Sequence, residues 1–244
     1  MAGRPNELDS SKSLHTIEAS LLHALLLAAA GGYLDAFTFV GKGGVFANAM
    51  TGNVVIMGSL MAAAKWTQAW FRIPPIAAFI AGVWCAKIFD LAPLRRIVRW
   101  PLMTSLAIEV ALLLVGGTVP NGVADAWLVL GISFVAALQN STFSRIEGLH
   151  VSTVITTGNL KNLSETSVTL AFGPRDPEAV RRARFYGGIC LCFLLGAALG
   201  ARFTTMIGNY ALWPAAVLLI VVCAHLWWQL RQRLSASRVD RSIS

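Results

Sequence analysis

Two short polar runs interrupt apolar stretches of this chain, and their surroundings match. They are Ala49-Met50-Thr51-Gly52-Asn53 and Ile155-Thr156-Thr157-Gly158-Asn159, with the Thr-Gly-Asn cores 106 residues apart. Glycine adopts backbone conformations that other residues avoid, so Gly52 and Gly158 are the expected points at which a helix breaks. Thr51 and Thr157 are placed to cap the helix that follows. The amides freed at such a start present a positive dipole end, suited to an anion or a polar neutral solute. Asn53 and Asn159 each add a donor and an acceptor. A second reading stands beside this one, in which Thr, Gly and Asn only join closely packed helices.

Five further places carry polar or ionisable groups inside or beside apolar sequence. Asp35 falls late in the first apolar block, where an acid usually faces the bundle interior or a water-filled cavity. It either serves a proton or cation there, or reaches the outer interface near Lys42. The matching region of the second half, Gln139-Asn140-Ser141-Thr142, is polar but uncharged. Glu109, in the middle of its block, is paired, protonated or functional. Lys161 and Glu165 follow the second Thr-Gly-Asn at i, i+4 spacing and can form an ion pair or line a vestibule. Lys87 and Asp90 read as snorkelling groups at a helix end. The expected substrate-binding set is Asp35, Asn48, Thr51, Gly52, Asn53, Gln139, Asn140, Thr157, Gly158 and Asn159.

No catalytic or metal-binding residue and no cofactor is expected. A phosphate loop, His-Glu-x-x-His and Gly-x-Ser-x-Gly are all missing from the sequence. His15, His23, His150 and His225 are scattered, and Cys85, Cys190, Cys192 and Cys223 sit in apolar segments as small hydrophobes. The chain is read as no enzyme.

The elements that must position these groups follow from composition. The 244 residues are 56% hydrophobic and 13% charged, with mean hydropathy +0.63. A soluble domain carries about a quarter charged residues. Apolar blocks run over 19–40, 43–64, 73–89, 101–119, 125–142, 149–172, 185–203 and 212–230, several of them as long as the roughly 17–25 residues that cross a bilayer. The net charge of +8 comes from Lys and Arg in short loops beside these blocks, which set orientation and do not imply a nucleic-acid partner. The run 21–30 resembles a signal peptide, but apolar sequence continues past it, so an uncleaved first span is expected.

The repeat extends beyond the triplets. At the same offset Phe37 meets Phe143, Thr38 meets Ser144 and Val45 meets Val151, and with a longer second linker Trp100-Pro101 meets Trp213-Pro214. The expected divisions are a flexible cytoplasmic amino terminus (1–16), a first membrane repeat (17–119), a linker (120–123), a second repeat (124–230) and a basic cytoplasmic tail (231–244). Leaving out Lys87 and Lys161 as too close to the membrane interior, treating both Thr-Gly-Asn blocks as re-entrant places 14 Lys and Arg on the cytoplasmic side and 4 outside, against 12 and 6 for eight full crossings. The loop 93–100 decides between them, and the positive-inside rule favours re-entrance. Three crossings per repeat put the halves in opposite orientations, which brings such sites together near the midplane. The fold class is therefore all-α integral membrane protein, with six transmembrane helices plus two re-entrant or broken segments in an inverted internal repeat.

The runs Gly-Gly-Tyr-Leu-Asp-Ala (31–36), Gly-Gly-Val-Phe-Ala-Asn-Ala-Met-Thr-Gly-Asn (43–53), Ala-Leu-Gln-Asn (137–140) and Thr-Thr-Gly-Asn (156–159) resemble the YoaK-type family over about residues 17–230. The resemblance implies a bacterial inner-membrane protein of about six spans and supplies no substrate or reaction. The functional expectation rests on the residues: a transporter or channel for a small polar solute or ion, its site between the Thr-Gly-Asn segments. The alternative is a non-transporting assembly or sensor protein. The expected partners are the lipid bilayer and the solute, with a homo-oligomer allowed.

Overall fold

The computed structural model of the chain describes residues 19–89, 91, 98, 100–174 and 176–243. The amino-terminal segment 1–16 and most of the loop 93–100 lie outside the described residues. The described residues are all-α apart from one short hairpin. Its helices are α1 (Leu21–Gly41), α2 (Met50–Ala62), α3 (Trp66–Trp70), α4 (Ile73–Phe89), α5 (Pro101–Thr118), α6 (Asp125–Thr142), α7 (Thr156–Phe172), α8 (Pro177–Ile207) and α9 (Leu212–Ile243). A 3-10 turn, Gly208–Ala211, joins the last two. Four apolar helical runs, Leu21–Gly41, Trp66–Phe89, Pro101–Thr118 and Pro177–Gln232, are long and apolar enough to cross a membrane. The architecture is that of a multi-pass membrane protein.

Six long helices pack side by side in the order α8, α1, α9, α5, α6, α4. Lipid supplies little hydrophobic drive between helices, so close contact depends on small residues. On the α1–α8 seam, a Cβ added to Gly32 would strike the Phe193 carbonyl, and one added to Gly196 would strike the Ala29 carbonyl. Leu25 lies by Gly188, Tyr33 by Gly200 and Gly41 by Thr204, so the two helices run parallel. Gly82 of α4 meets the Phe134 carbonyl of α6 in the same manner. Larger side chains fill the α5–α9 contact, where Leu106, Leu113, Leu212, Leu219 and Val222 are fully buried.

The bundle has two polar ends. At one, Lys42 closes α1 and meets Asp125 at the start of α6 and Asn209 in the 3-10 turn. At the other, the Glu147 carboxylate accepts from the Leu21 amide at the start of α1 (2.7 Å) and lies 3.5 Å from Arg181 of α8. Helix α8 has 31 residues, about 46 Å at 1.5 Å per residue, so it is longer than the hydrocarbon layer and its arginine-bearing first turns can project beyond it. The sequence expected apolar structure only over 185–203; Asp176, accepting from the Glu178 amide, caps a start at Pro177 instead.

The two Thr-Gly-Asn blocks are not continuous helices. After α1 the chain reverses at Gly43 and Gly44, both at positive φ (72° and 67°). It then descends along α1 in extended form: the Ala47 amide donates to the Thr38 hydroxyl (3.1 Å) and the Asn48 amide to the Asp35 carboxylate (2.7 Å). From Thr38 to Gly31 that descent covers about 10 Å. Helix α2 begins there. After it, Arg72 donates to the carbonyls of Gly44 (2.5 Å) and Gly43 (3.1 Å), so the excursion starts and finishes at the Lys42 end.

The second block begins with a hairpin, β1 (Arg145–Ile146) and β2 (Leu149–His150), paired Arg145 to His150. Its turn residues, Glu147 and Gly148, both have positive φ (51° and 77°), as a type I′ turn requires. The segment 151–155 follows, then α7. The Tyr186 hydroxyl of α8 donates to the His150 carbonyl (3.1 Å), which returns the chain to the Glu147 end.

Candidate functional site

The Asp35 carboxylate is turned towards the entry segment of α2 and away from Lys42. It is 6% exposed and binds the Asn48 amide, and the amides of Ala47 and Ala49 lie around it. A carboxylate at the positive end of a helix complements the helix dipole. Lys42 instead has its own partners. The reading of Asp35 as an interfacial group near Lys42 is therefore corrected: the carboxylate hydrogen-bonds the backbone of the α2 entry segment instead of reaching the outer interface.

Asn53 and Asn159 perform one task twice. Asn53 accepts from the Phe46 amide (3.0 Å) and donates to the Phe46 carbonyl (2.6 Å). Asn159 accepts from the Ser152 amide (3.5 Å) and donates to the Ser152 carbonyl (2.6 Å). Each closes a seven-residue loop over the start of its helix and pairs part-buried backbone groups that the helix leaves free. Both asparagines are buried, at 0% and 2% exposure.

The two entry loops meet at one turn of α1. The Asn48 side-chain amide donates to the Gly31 carbonyl (2.9 Å), while a Cβ on Gly31 would collide with the Thr153 carbonyl and the Val154 Cα. Only glycine lets both loops reach the same place. On the neighbouring turn of α6, Asn140 accepts from the Ser152 hydroxyl (2.9 Å). In the two loops, at the start of α7 and at the α6 residue next in sequence to Asn140, four polar atoms are buried without a hydrogen-bond partner among the described residues: Asn48 Oδ1, Thr153 Oγ1, Thr156 Oγ1 and Gln139 Nε2. Such groups are few in a folded protein and each costs free energy.

The remaining expected residues fall elsewhere. Thr51, Thr157 and Gly158 are exposed on the outer faces of α2 and α7. Helix α2 already starts at Met50 and α7 at Thr156, so neither Thr51 nor Thr157 is a cap; Ala49 and Ile155 hold those positions without a side-chain bond. Gly52 and Gly158 are helical, because the chain break comes earlier, in residues 43–49 and 151–155. Gly52 has a packing role, as a Cβ there would press on the Phe46 ring.

Sequence reasoning missed the Lys42 cluster. Lys42 is 9% exposed, and its Nζ bonds Asp125 (2.5 Å) and Asn209 (2.6 Å). A cleft of about 630 Å³ beside it is lined by Phe71, Arg72, Pro75, Trp127 and others. A second, of about 600 Å³, lies across the ion pair beside Asn121 and Tyr210. Sequence alone offers Lys42 as an outside charge and as the interfacial neighbour of Asp35; its position directly after a long apolar helix is the available signal. His23 and His225, taken as scattered, stack with centroids 4.8 Å apart and ring nitrogens 3.0 Å apart. Glu109 is fully buried with both oxygens unpartnered among the described residues. Lys161 and Glu165 do pair, at 3.7 Å, on an exposed face.

The profile of the family described as "Protein of unknown function (DUF1275)" matches residues 23–225, in agreement with the YoaK-type resemblance. No curated protein and no solved structure matches the chain.

Proposed function

The chain belongs to the family of unknown function DUF1275, and from that premise we propose that it is a transporter or channel for a small polar solute or ion. One observation carries the reading: two helices start at the same turn of α1, entering from opposite ends, with buried and unpartnered polar atoms between them. Irregular backbone at membrane depth is tolerated where it is enclosed by protein or lines a cavity. Broken helices of this kind present their amide ends to substrate in many membrane carriers.

The proposal includes an inverted repeat. Counted within each half, the packing order α8, α1, α9, α5, α6, α4 reads third, first, fourth, then fourth, first, third, which is the order a two-fold axis between α5 and α9 produces. The shared asparagine clamps support it at residue level. Six crossings plus two re-entrant segments follow, and Arg145, Arg181, Arg182, Arg184 and Arg231 make the Glu147 end the cytoplasmic one by the positive-inside rule. Both termini are then cytoplasmic, in a bacterial inner membrane. The substrate-facing residues are Asn48, Gln139, Thr153 and Thr156, with Asp35 and the two clamping asparagines holding the loops. No catalytic step is part of the proposal.

A second reading has its own support, because Asn53 and Asn159 direct their amides mainly to their own backbone, Asn53 adding only a contact to the Met50 sulfur. In it the loops are packing devices of an assembly or sensor protein. Flux of small polar solutes and ions into proteoliposomes separates the two. Transport by wild type, lost in Gln139→Leu at unchanged melting temperature, supports the carrier. No flux across a panel of urea, glycerol, formamide, sodium and chloride sinks it.

A further inference from the structure

The two helix starts are alike in backbone and unlike in charge. At α2 the chain supplies its own anion, since the Asp35 carboxylate binds the Asn48 amide at 2.7 Å with two more backbone amides beside it. The residue 106 positions later is Ser141, and the 17-residue helix α7 starts with no carboxylate in that role. Its N-cap, Ile155, offers no side chain to the first turn.

Unsatisfied donors lie at that start. The loop 152–155 is folded over it, because Asn159 donates to the Ser152 carbonyl (2.6 Å) and the Ile155 amide donates to the Ser152 hydroxyl (3.0 Å). Thr153, inside this loop, is 0% exposed with its hydroxyl unpartnered among the described residues, and so is the hydroxyl of Thr156, the helix's first residue. Gln139, 1% exposed, sits beside Asn140, which holds Ser152; its Nε2 is unpartnered too, and an amide nitrogen can only donate. Two free hydroxyls and an amide N–H at a positive helix end suit an acceptor that carries negative charge, even with the unpartnered acceptor Asn48 Oδ1 on the facing loop.

Resting on the reading of the two halves as equivalents, we infer that the start of α7, with Thr153, Thr156 and Gln139, binds one small monovalent anion in the role that Asp35 fills at α2. The charge is limited to one. A helix end offsets about half an elementary charge, Asp35 holds the facing loop, and none of Thr153, Thr156 and Gln139 is cationic. The size is limited by burial, which suits a halide, nitrate or a short carboxylate.

The test titrates purified wild-type protein with sodium chloride, nitrate and formate in gluconate buffer by calorimetry, and measures formate and neutral formamide flux in proteoliposomes. Wild type is expected to bind at least one of the three anions. Ser141→Asp, which gives the second half its own carboxylate, should weaken that binding at least tenfold, and Thr153→Val several-fold. Ser141→Asn, a neutral control of the same size, should leave it within twofold. Equal affinity in Ser141→Asp and wild type overturns the inference, as does a wild type that binds none of the three. Formamide flux without anion binding overturns it while leaving the transport reading in place. Anion binding without flux of either solute supports the site and overturns the transport reading.

Discussion

The Asn53 side chain grips both the amide and the carbonyl of Phe46, seven residues earlier in the chain (3.0 and 2.6 Å). The same grip recurs from Asn159 to Ser152. Asparagine suits the task because its amide offers a donor and an acceptor side by side, as the backbone does. Leucine in its place would leave two buried backbone groups without partners, at about 1–3 kcal/mol each. Asn53→Leu and Asn159→Leu are each expected to lower the melting temperature in detergent by several degrees. Thr51→Val, on an exposed position two residues away, should change it little. A comparable loss from Thr51→Val would remove the clamp's special role.

Re-entrance makes a different kind of prediction. Arg72 reaches the carbonyls of Gly43 and Gly44, so both arms of the first excursion stand at the Lys42 end. In a background without the four native cysteines, a cysteine replacing exposed Trp70 should react with a membrane-impermeant maleimide from the same side as one replacing exposed Gly122. A cysteine replacing Arg182 should react from the other side. Labelling of Trp70→Cys and Arg182→Cys from one side would place a full crossing in α2.

The crossing at Gly31 sets a third expectation. A side chain there must displace the Thr153 carbonyl and the Val154 backbone, which are main-chain atoms without freedom to move aside. Gly31→Ala should therefore separate the two loops and abolish flux, while Gly58→Ala, which meets open space on α2, should be neutral or slightly stabilising. Proteoliposome uptake for both variants checks this, and active Gly31→Ala protein would move the site elsewhere.

These contrasts mark how far the sequence reaches. The polar triplets, the acid at 35 and the amides at 139–140 were visible because polarity in apolar sequence is rare and costly. Periodicity could not show where each helix starts. Glycine suggested a break at 52 and 158, yet both residues are helical, and the irregular backbone lies in 43–49 and 151–155, where Asp35, Thr38 and the asparagines satisfy it. Nor could one-dimensional spacing reveal partners far apart in the chain. His23 and His225 meet only because α1 packs on α9, and Lys42 acquires Asp125 from the start of α6 and Asn209 from the α8–α9 turn.

Lys42 supplies the last prediction. It is a cation with 4% of its side chain exposed, held by Asp125, whose side chain is 36% exposed, and by Asn209, which itself donates to the Val119 carbonyl (2.9 Å). Removing one partner of a fully buried pair costs about 3–5 kcal/mol, because the other charge is stranded. Asp125 is partly solvated, so Asp125→Ala should cost less, about 1–3 kcal/mol in line with an unsatisfied buried polar group. Lys42→Met strands no buried charge, since water can reach Asp125, and beyond the ion pair it gives up only the cation–π contact of Nζ with the Phe37 ring (5.5 Å) and the bond to Asn209. It should therefore be the milder variant. The double variant should lie close to Lys42→Met alone, because the cost of Asp125→Ala comes from the lysine it abandons. Thermal unfolding of the four proteins in detergent completes the cycle, and simple additivity of the two single changes would show that Lys42 and Asp125 act independently.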